Sequence, residues 1–218
     1  MTKQSNIRTS VVTVLFLLAA LWYFFPIAKD ASLIFRMRLA LPAAILALGV
    51  IGLLPRLISW GFVFCTIGDA MGVAGSFEGQ MGGFAVAQIC FIAQFVKDIR
   101  QGKVSHAGFI IASFVCLVPL LFAAWNIFPN VQPLPIRIGC VIYALLLLSS
   151  AWTSILRAFS IKRYIAMIGC IIFLISDFTI AWNKFTVHIP HAGRYIMITY
   201  YSALILIFFG TLRRKTLK

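Results

Sequence analysis

The stretch Leu57–Gly75, LISWGFVFCTIGDAMGVAG, is an apolar run that contains one acid, Asp69. About 20 residues of this kind form a helix long enough to cross the hydrocarbon core of a bilayer. A carboxylate that faced lipid there would cost about 2.5–3.5 kcal/mol even on the milder insertion scale. Asp69 is therefore expected to face other helices or a polar cavity. The stretch Leu174–Trp182, LISDFTIAW, raises the same problem with Asp177.

The composition around these stretches is that of a membrane protein. Of the 218 residues, 62% are hydrophobic and only 11% are charged, which excludes a water-soluble domain of this size. The first apolar run lacks a small-residue cleavage site, so it is interpreted as a retained helix rather than a signal peptide. The net charge of +14 comes from residues at the ends of apolar runs. This placement indicates contact with membrane lipid headgroups, not nucleic acid.

The apolar runs predict an all-α polytopic helical bundle in one integral membrane domain, residues 1–218. Thirteen of the nineteen Lys and Arg residues fall on the side that carries the N-terminus, which predicts that both termini are cytoplasmic. A bacterial chain of this kind would lie in the cytoplasmic (inner) membrane. Eight spans are predicted, at residues 9–27, 35–54, 57–75, 80–97, 105–125, 136–156, 164–183 and 195–211.

The two acids are predicted to lie at nearly the same depth. Asp69 is twelve residues into the third span, and Asp177 is thirteen residues into the seventh. At 1.5 Å per residue these positions are about 18 Å and about 20 Å from the starts of their spans. Both spans run in the same direction, so the matched depth favours one shared site. The alternative is that each acid only holds helices together.

The two halves of the chain also resemble each other. Gly61–Asp69, GFVFCTIGD, aligns with Gly169–Asp177, GCIIFLISD, and after a longer loop Phe84–Ile92 aligns with Tyr200–Phe208. The pattern predicts half-repeats, residues 1–104 and 105–218, of four spans each. An even number of spans makes the halves parallel, with a pseudo-two-fold axis along the membrane normal. That axis would bring the two acids face to face.

Two buried carboxyl groups in one site suit acid–base chemistry. Burial and mutual repulsion favour a pair in which one carboxyl is protonated while its partner is ionised. Such a pair can cleave acetal-like bonds through an oxocarbenium-like state. The sequence contains no G-x-S-x-G, H-E-x-x-H or P-loop motif. His188 and His191 form an H-x-x-H in a predicted outer loop, but no histidine or cysteine pattern indicates a metal site. No metal ion or cofactor is expected.

These features resemble those of the YhhN family, which includes the animal lysoplasmalogenases. The resemblance is carried by GDAMG in the third span, GGFAVAQICFIAQF in the fourth, IFLISDFTIAWNKF in the seventh and ITYYSALILIFFG in the eighth. It implies an eight-span integral membrane fold and hydrolysis of the vinyl ether bond of lysoplasmalogens. The products would be a fatty aldehyde and a glycerophospho-ethanolamine or glycerophospho-choline.

The resemblance implies that Asp69 and Asp177 are the catalytic residues, with Asp69 as the acid and Asp177 as the base, or with these roles exchanged. Gln88 stands where the family usually carries histidine, and Leu204 where it often carries glutamine or histidine. Gln88 is expected to orient water or a headgroup. The other residues expected to bind the lysophospholipid substrate line the cavity or flank its outer mouth: Asn183, Lys184, Arg194, Tyr200 and Tyr201. For the tyrosines the alternative is interfacial anchoring, and for Lys184 and Arg194 it is contact with ordinary membrane lipid.

Two other functions fit the same sequence. Intramembrane acids and repeated halves are also typical of a proton-coupled carrier for a lipid or a small solute. Against a carrier, no span is plainly broken at its middle, although Gly68 and Gly72 flank Asp69 and could open the third span. The other alternative is a non-catalytic membrane factor whose acids fix the packing of helices.

Overall fold

The computed structural model describes residues 3–26, 32–49 and 52–212, and there the chain forms α-helices, two short 3-10 turns and no β-strand. The all-α class predicted from the sequence is confirmed for this part of the chain. The 3-10 turns are Met37–Ala40 and Phe128–Asn130. The α-helices are α1 (Lys3–Tyr23), α2 (Leu33–Arg36), α3 (Leu41–Gly49), α4 (Arg56–Val73), α5 (Phe77–Ile99), α6 (His106–Asn126), α7 (Leu134–Ile161), α8 (Ile165–Phe185) and α9 (Ala192–Thr211).

Among the described residues, six helices are long and apolar enough to cross a membrane, namely α1, α5, α6, α7, α8 and α9. The protein is therefore a multi-pass integral membrane protein. These helices correspond to the first and the fourth to eighth predicted spans, with ends that differ by at most six residues from the predicted ones. The total of eight spans and the cytoplasmic position of both termini stay predictions.

The second predicted span, residues 35–54, is divided into α2, the turn Met37–Ala40 and α3. In this turn Arg38 is buried and donates hydrogen bonds to the carbonyl oxygens of Trp22, Tyr23 and Phe25 at 3.0, 2.9 and 2.6 Å. A guanidinium buried in this way satisfies carbonyl groups that the end of α1 leaves without helical partners. Arg38 was predicted to lie near the outer surface, but its side chain is bonded to the C-terminal end of α1.

Helix α4 is the third predicted span. It has 18 residues and continues without a break through Gly68 and Gly72. At 1.5 Å per residue it is about 27 Å long, slightly less than the ~30 Å hydrocarbon core. It is not among the six helices that are apolar enough by composition. The opening at Gly68 and Gly72 that a carrier could use is absent from this helix.

The described chain divides into two compact units. The first contains the residues up to Cys90 together with those from Thr211 onward, and the second is Phe91–Gly210. In the first unit α3 packs against α1 and α4, and in the second α7 packs against α6 and α8. The single domain 1–218 and the half-repeats 1–104 and 105–218 stay predictions. Outside the described residues lie the predicted turn at Lys29 and Asp30, residues 50–51 and the basic residues Arg213, Arg214, Lys215 and Lys218.

Candidate active site

Asp69 is buried on α4 in the first unit, where only 2% of the residue is exposed. The next helix, α5, approaches α4 very closely at this level. A methyl group added at Gly83 of α5 would lie 2.6 Å from the backbone nitrogen of Gly68. The side chain of Phe84 covers Gly68 from the same helix. Asp69 is therefore buried on a helix that packs tightly against its neighbour. This burial agrees with the prediction that the carboxyl does not face lipid, which would be costly.

Gln88 is the second buried polar residue of the predicted site in the first unit. It is 2% exposed, and its Nε2 has no hydrogen-bond partner among the described residues. A buried amide group without a partner is unusual, because a buried donor that makes no hydrogen bond costs about 1–3 kcal/mol. Gln88 thus has a donor that is free for water or for a substrate oxygen. Its role in binding stays a prediction.

Asp177 is buried on α8 in the second unit, and it is joined there to a residue that was not predicted. The hydroxyl of Tyr143, on α7, donates a hydrogen bond to Oδ2 of Asp177. The other carboxyl oxygen, Oδ1, is buried and has no partner among the described residues. Asp69 and Asp177 belong to different units, and their pairing in one site stays a prediction.

Tyr200 and Tyr201, on α9, are also buried in the second unit. The ring of Tyr200 packs edge-on against Phe173 of α8, with ring centroids 5.5 Å apart. One turn away, Ser176 donates a hydrogen bond to the carbonyl oxygen of Ile196 at 3.0 Å. Both rings are packed within the protein, and interfacial anchoring stays the alternative prediction for them. Their contact with substrate stays a prediction.

The remaining predicted binding residues lie at the end of α8 and the start of α9. The side-chain oxygen of Asn183 accepts a hydrogen bond from the backbone N–H of Ile189 at 2.8 Å, so this oxygen already shapes the loop. Lys184 and Arg194 are exposed and are able to meet a phosphate group. His188 and His191 are exposed in the same loop. Within residues 3–26, 32–49 and 52–212, no group of three His, Cys, Asp or Glu residues could hold a metal ion.

Two buried or partly buried polar residues were missed from the sequence, one at the predicted site and one outside it. Tyr143 was not considered because an aromatic residue within an apolar run is most often part of the packing. A signal existed, since Tyr143 lies nine residues into α7 and so at about 14 Å from its start, whereas anchoring tyrosines lie near span ends. Arg157 was assigned to a loop after residue 156, but α7 continues to Ile161 and Arg157 is buried in it.

Arg157 is the centre of a second polar cluster. Its Nε pairs with Oδ2 of Asp98 at 2.5 Å, and its Nη2 donates to the carbonyl oxygen of Gly210 at 3.2 Å. Asp98, Arg157 and Gly210 each lie near the C-terminal end of their helix. Those ends carry the negative poles of the helix dipoles, so a buried cation is favoured where they meet. The cluster stabilises the fold and is not part of the predicted site.

A comparison with known protein families identifies the family of this chain. Residues 34–211 match the YhhN family. The chain belongs to the YhhN family. The match includes α4, α5, α8 and α9, the helices on which the predicted resemblance rests. The family assignment made from the sequence is confirmed.

Two similar curated proteins carry the name lysoplasmalogenase TMEM86B. The protein from Sus scrofa is 27% identical over 161 residues, which cover 72% of this chain and 65% of the relative. The protein from Homo sapiens is 27% identical over 159 residues, which cover 72% of this chain and 64% of the relative. The chain thus spans less than two thirds of the length of these relatives. No solved structure gives a significant match.

Proposed function

We propose that the protein is a membrane-embedded hydrolase that cleaves the vinyl ether bond of lysoplasmalogens. The observation that carries the proposal is the position of Asp69 and Asp177. Both acids are buried within helices of a chain whose curated relatives are named lysoplasmalogenase. An ionisable residue inside a membrane helix is costly and marks function more often than packing. The released products are a fatty aldehyde and a glycerophospho-ethanolamine or glycerophospho-choline.

The first step of the proposed reaction is a proton transfer to carbon. The protonated carboxyl of Asp69 gives its proton to the vinyl carbon that is β to the ether oxygen. The double-bond electrons form the new C–H bond, and the adjacent carbon becomes part of an oxocarbenium ion. The nearby carboxylate of Asp177 stabilises this cation, and the effect is large because water is excluded from such a site.

The second step uses one water molecule and returns both acids to their starting states. Water attacks the oxocarbenium carbon while Asp177 accepts the water proton, which gives a hemiacetal. Asp177 then donates this proton to the glycerol oxygen as the C–O bond breaks. Asp69 accepts the hydroxyl proton of the hemiacetal, and the aldehyde leaves. The balance is one vinyl ether and one water for one aldehyde and one alcohol.

The experiment that tests the proposal measures aldehyde release by the purified protein in detergent with lysoplasmenyl-ethanolamine or lysoplasmenyl-choline. We expect release by the wild type and a loss of about 10²–10⁴-fold in each of Asp69→Asn and Asp177→Asn, as is usual when a positioned acid or base is removed. A lysophospholipid with an acyl ester in place of the vinyl ether is the control substrate and should release no aldehyde. Release that survives both substitutions would rule out the acid pair.

Two other outcomes would favour the alternatives. Flux of a lipid or solute into proteoliposomes without aldehyde release would indicate a carrier. If neither activity is found and both asparagine variants only lower the unfolding temperature, the acids fix helix packing and the proposal is wrong.

A further inference from the structure

The side chains of Tyr143 and Asp177 join two neighbouring helices, α7 and α8. Helices α7 and α8 run in opposite directions. Tyr143 is nine residues after the start of α7, and Asp177 is eight residues before the end of α8. At 1.5 Å per residue these positions are about 14 and about 12 Å from the same end of the helix pair, so the two residues lie at one level. The hydroxyl and the carboxyl meet directly.

The hydrogen bond divides the carboxyl into two unlike oxygens. Oδ2 accepts the hydroxyl of Tyr143, whereas Oδ1 is buried without a partner among the described residues. A hydroxyl donor stabilises the ionised form of a carboxyl more than the neutral form. A buried carboxylate oxygen that lacks a donor is costly, and a water molecule is the smallest group that removes the cost.

We propose that Tyr143 is a positioning residue that holds Asp177 as the carboxylate of the reaction, with Oδ1 turned to the attacking water. This inference rests on the proposed function and deepens it, because it removes the exchange of roles that the sequence left open. Asp177 is then the base, and Asp69 is the acid that protonates carbon. Tyr143 itself gives up no proton and touches no reacting atom.

The bond changes follow from this assignment. The water donates one hydrogen bond to Oδ1 of Asp177 before it attacks. As the water oxygen bonds to the oxocarbenium carbon, its proton passes to Oδ1, while Oδ2 keeps the hydroxyl of Tyr143. The same proton later goes from Oδ1 to the departing glycerol oxygen. Tyr143 thus fixes which oxygen takes part in both transfers.

The variant that tests the inference is Tyr143→Phe, which removes the hydroxyl and keeps the ring. We expect kcat for aldehyde release to fall about 10–100-fold, the range that corresponds to a lost hydrogen bond to a charged group, while KM changes less than about threefold. The matched control is Ser176→Ala, which removes the hydroxyl next to Asp177 that bonds to Ile196. Its kcat should stay within about twofold of the wild type.

A fall in kcat that is equal in Tyr143→Phe and Ser176→Ala would show a general loss of packing and would overturn the inference. A rise in KM with unchanged kcat in Tyr143→Phe would also overturn it, because a positioning role acts on the chemical step. If the wild type releases no aldehyde, the proposed function fails, and the role of Tyr143 is then decided by the infrared measurement alone.

Infrared spectroscopy tests the same inference without any activity. At neutral pH the wild type should show the C=O stretching band of one buried, protonated carboxyl. The band should disappear in Asp69→Asn and persist in Asp177→Asn. In Tyr143→Phe a second such band should appear as Asp177 takes up a proton. If the wild-type band instead disappears in Asp177→Asn, Asp177 is the acid and the inference is wrong.

Discussion

The helix pair α4–α5 and the helix pair α8–α9 carry one acid each, and they solve the same packing problem with different residues. In the alignment of the two halves, Gly68 corresponds to Ser176. Extending the alignment of α5 with α9 by four residues matches Gln80 with Ile196. A methyl group added at Gly68 would lie 3.1 Å from the carbonyl oxygen of Gln80, and Ser176 donates to the carbonyl oxygen of Ile196 at 3.0 Å. Equivalent positions thus face equivalent carbonyl groups.

The two pairs place equivalent positions of their helices opposite each other, although the residues at those positions differ. This common alignment of facing positions is called the shared register below. At Gly68 the absence of a side chain lets the ring of Phe84 lie against the backbone of α4. At Ser176 a hydroxyl fills the space and bonds across to α9. At this position the first pair has close contact between helices and the second has a hydrogen bond, both of which are usual between membrane helices. Helices α8 and α9 also approach each other closely, at Gly169 and Gly210. The common register supports the predicted half-repeat.

The largest effect is expected at the far end of the second pair, where Arg157 binds the carbonyl of Gly210. Arg157→Met leaves the Asp98 carboxylate without its cation and should lower the free energy of unfolding by about 3–5 kcal/mol. The double variant Arg157→Met with Asp98→Asn should lose clearly less, because no uncompensated charge remains. Thermal unfolding of both variants in detergent measures this. Equal losses in the single and double variants would show that the unpaired charge of Asp98 is not the cause of the loss.

A smaller effect is expected where the first pair is closest. In Gly83→Ala the added methyl group would lie 2.6 and 2.7 Å from the backbone N and Cα of Gly68, so α4 and α5 must move apart. Overpacking of this kind costs about 1–3 kcal/mol. The matched control is Gly82→Ala, since nothing lies within 4 Å of a methyl group at Gly82. That variant should be neutral or stabilising, because alanine favours helix more than glycine does.

Most helices and the burial of both acids could be predicted from the sequence. Long apolar runs bounded by Pro, Gly and basic residues mark α5 to α9 within a few residues, and the cost of a carboxylate in lipid predicts that Asp69 and Asp177 are buried. Arg38 and Arg157 could not be placed in this way. A charged residue near the end of an apolar run fits either a surface or a buried position, and only the carbonyl groups and acids brought to it by other helices decide between them.

The position of Tyr143 deep in its span could single it out, but its partner could not be predicted, for a similar reason. Its hydroxyl donates a hydrogen bond to Asp177, which is 34 residues away in the chain. No local pattern records a contact between helices at that distance. The family resemblance predicted the two acids because motifs surround them, whereas Tyr143 stands alone in an apolar segment of α7.

The smallest effect is expected at Ser176, and it tests the comparison most directly. Ser176→Ala removes the hydrogen bond from α8 to the carbonyl of Ile196 and should lower the free energy of unfolding by about 1 kcal/mol, the usual net value of such a bond. Ser149→Ala is the matched control, because the exposed hydroxyl of Ser149 bonds only to the carbonyl of Leu145 in its own helix. A serine bonded back to its own helix slightly destabilises it, so that variant should lose nothing. If both variants lose the same amount in thermal unfolding, the hydroxyl of Ser176 does not join α8 to α9. The shared register would then be kept in both pairs by close contact between the helices.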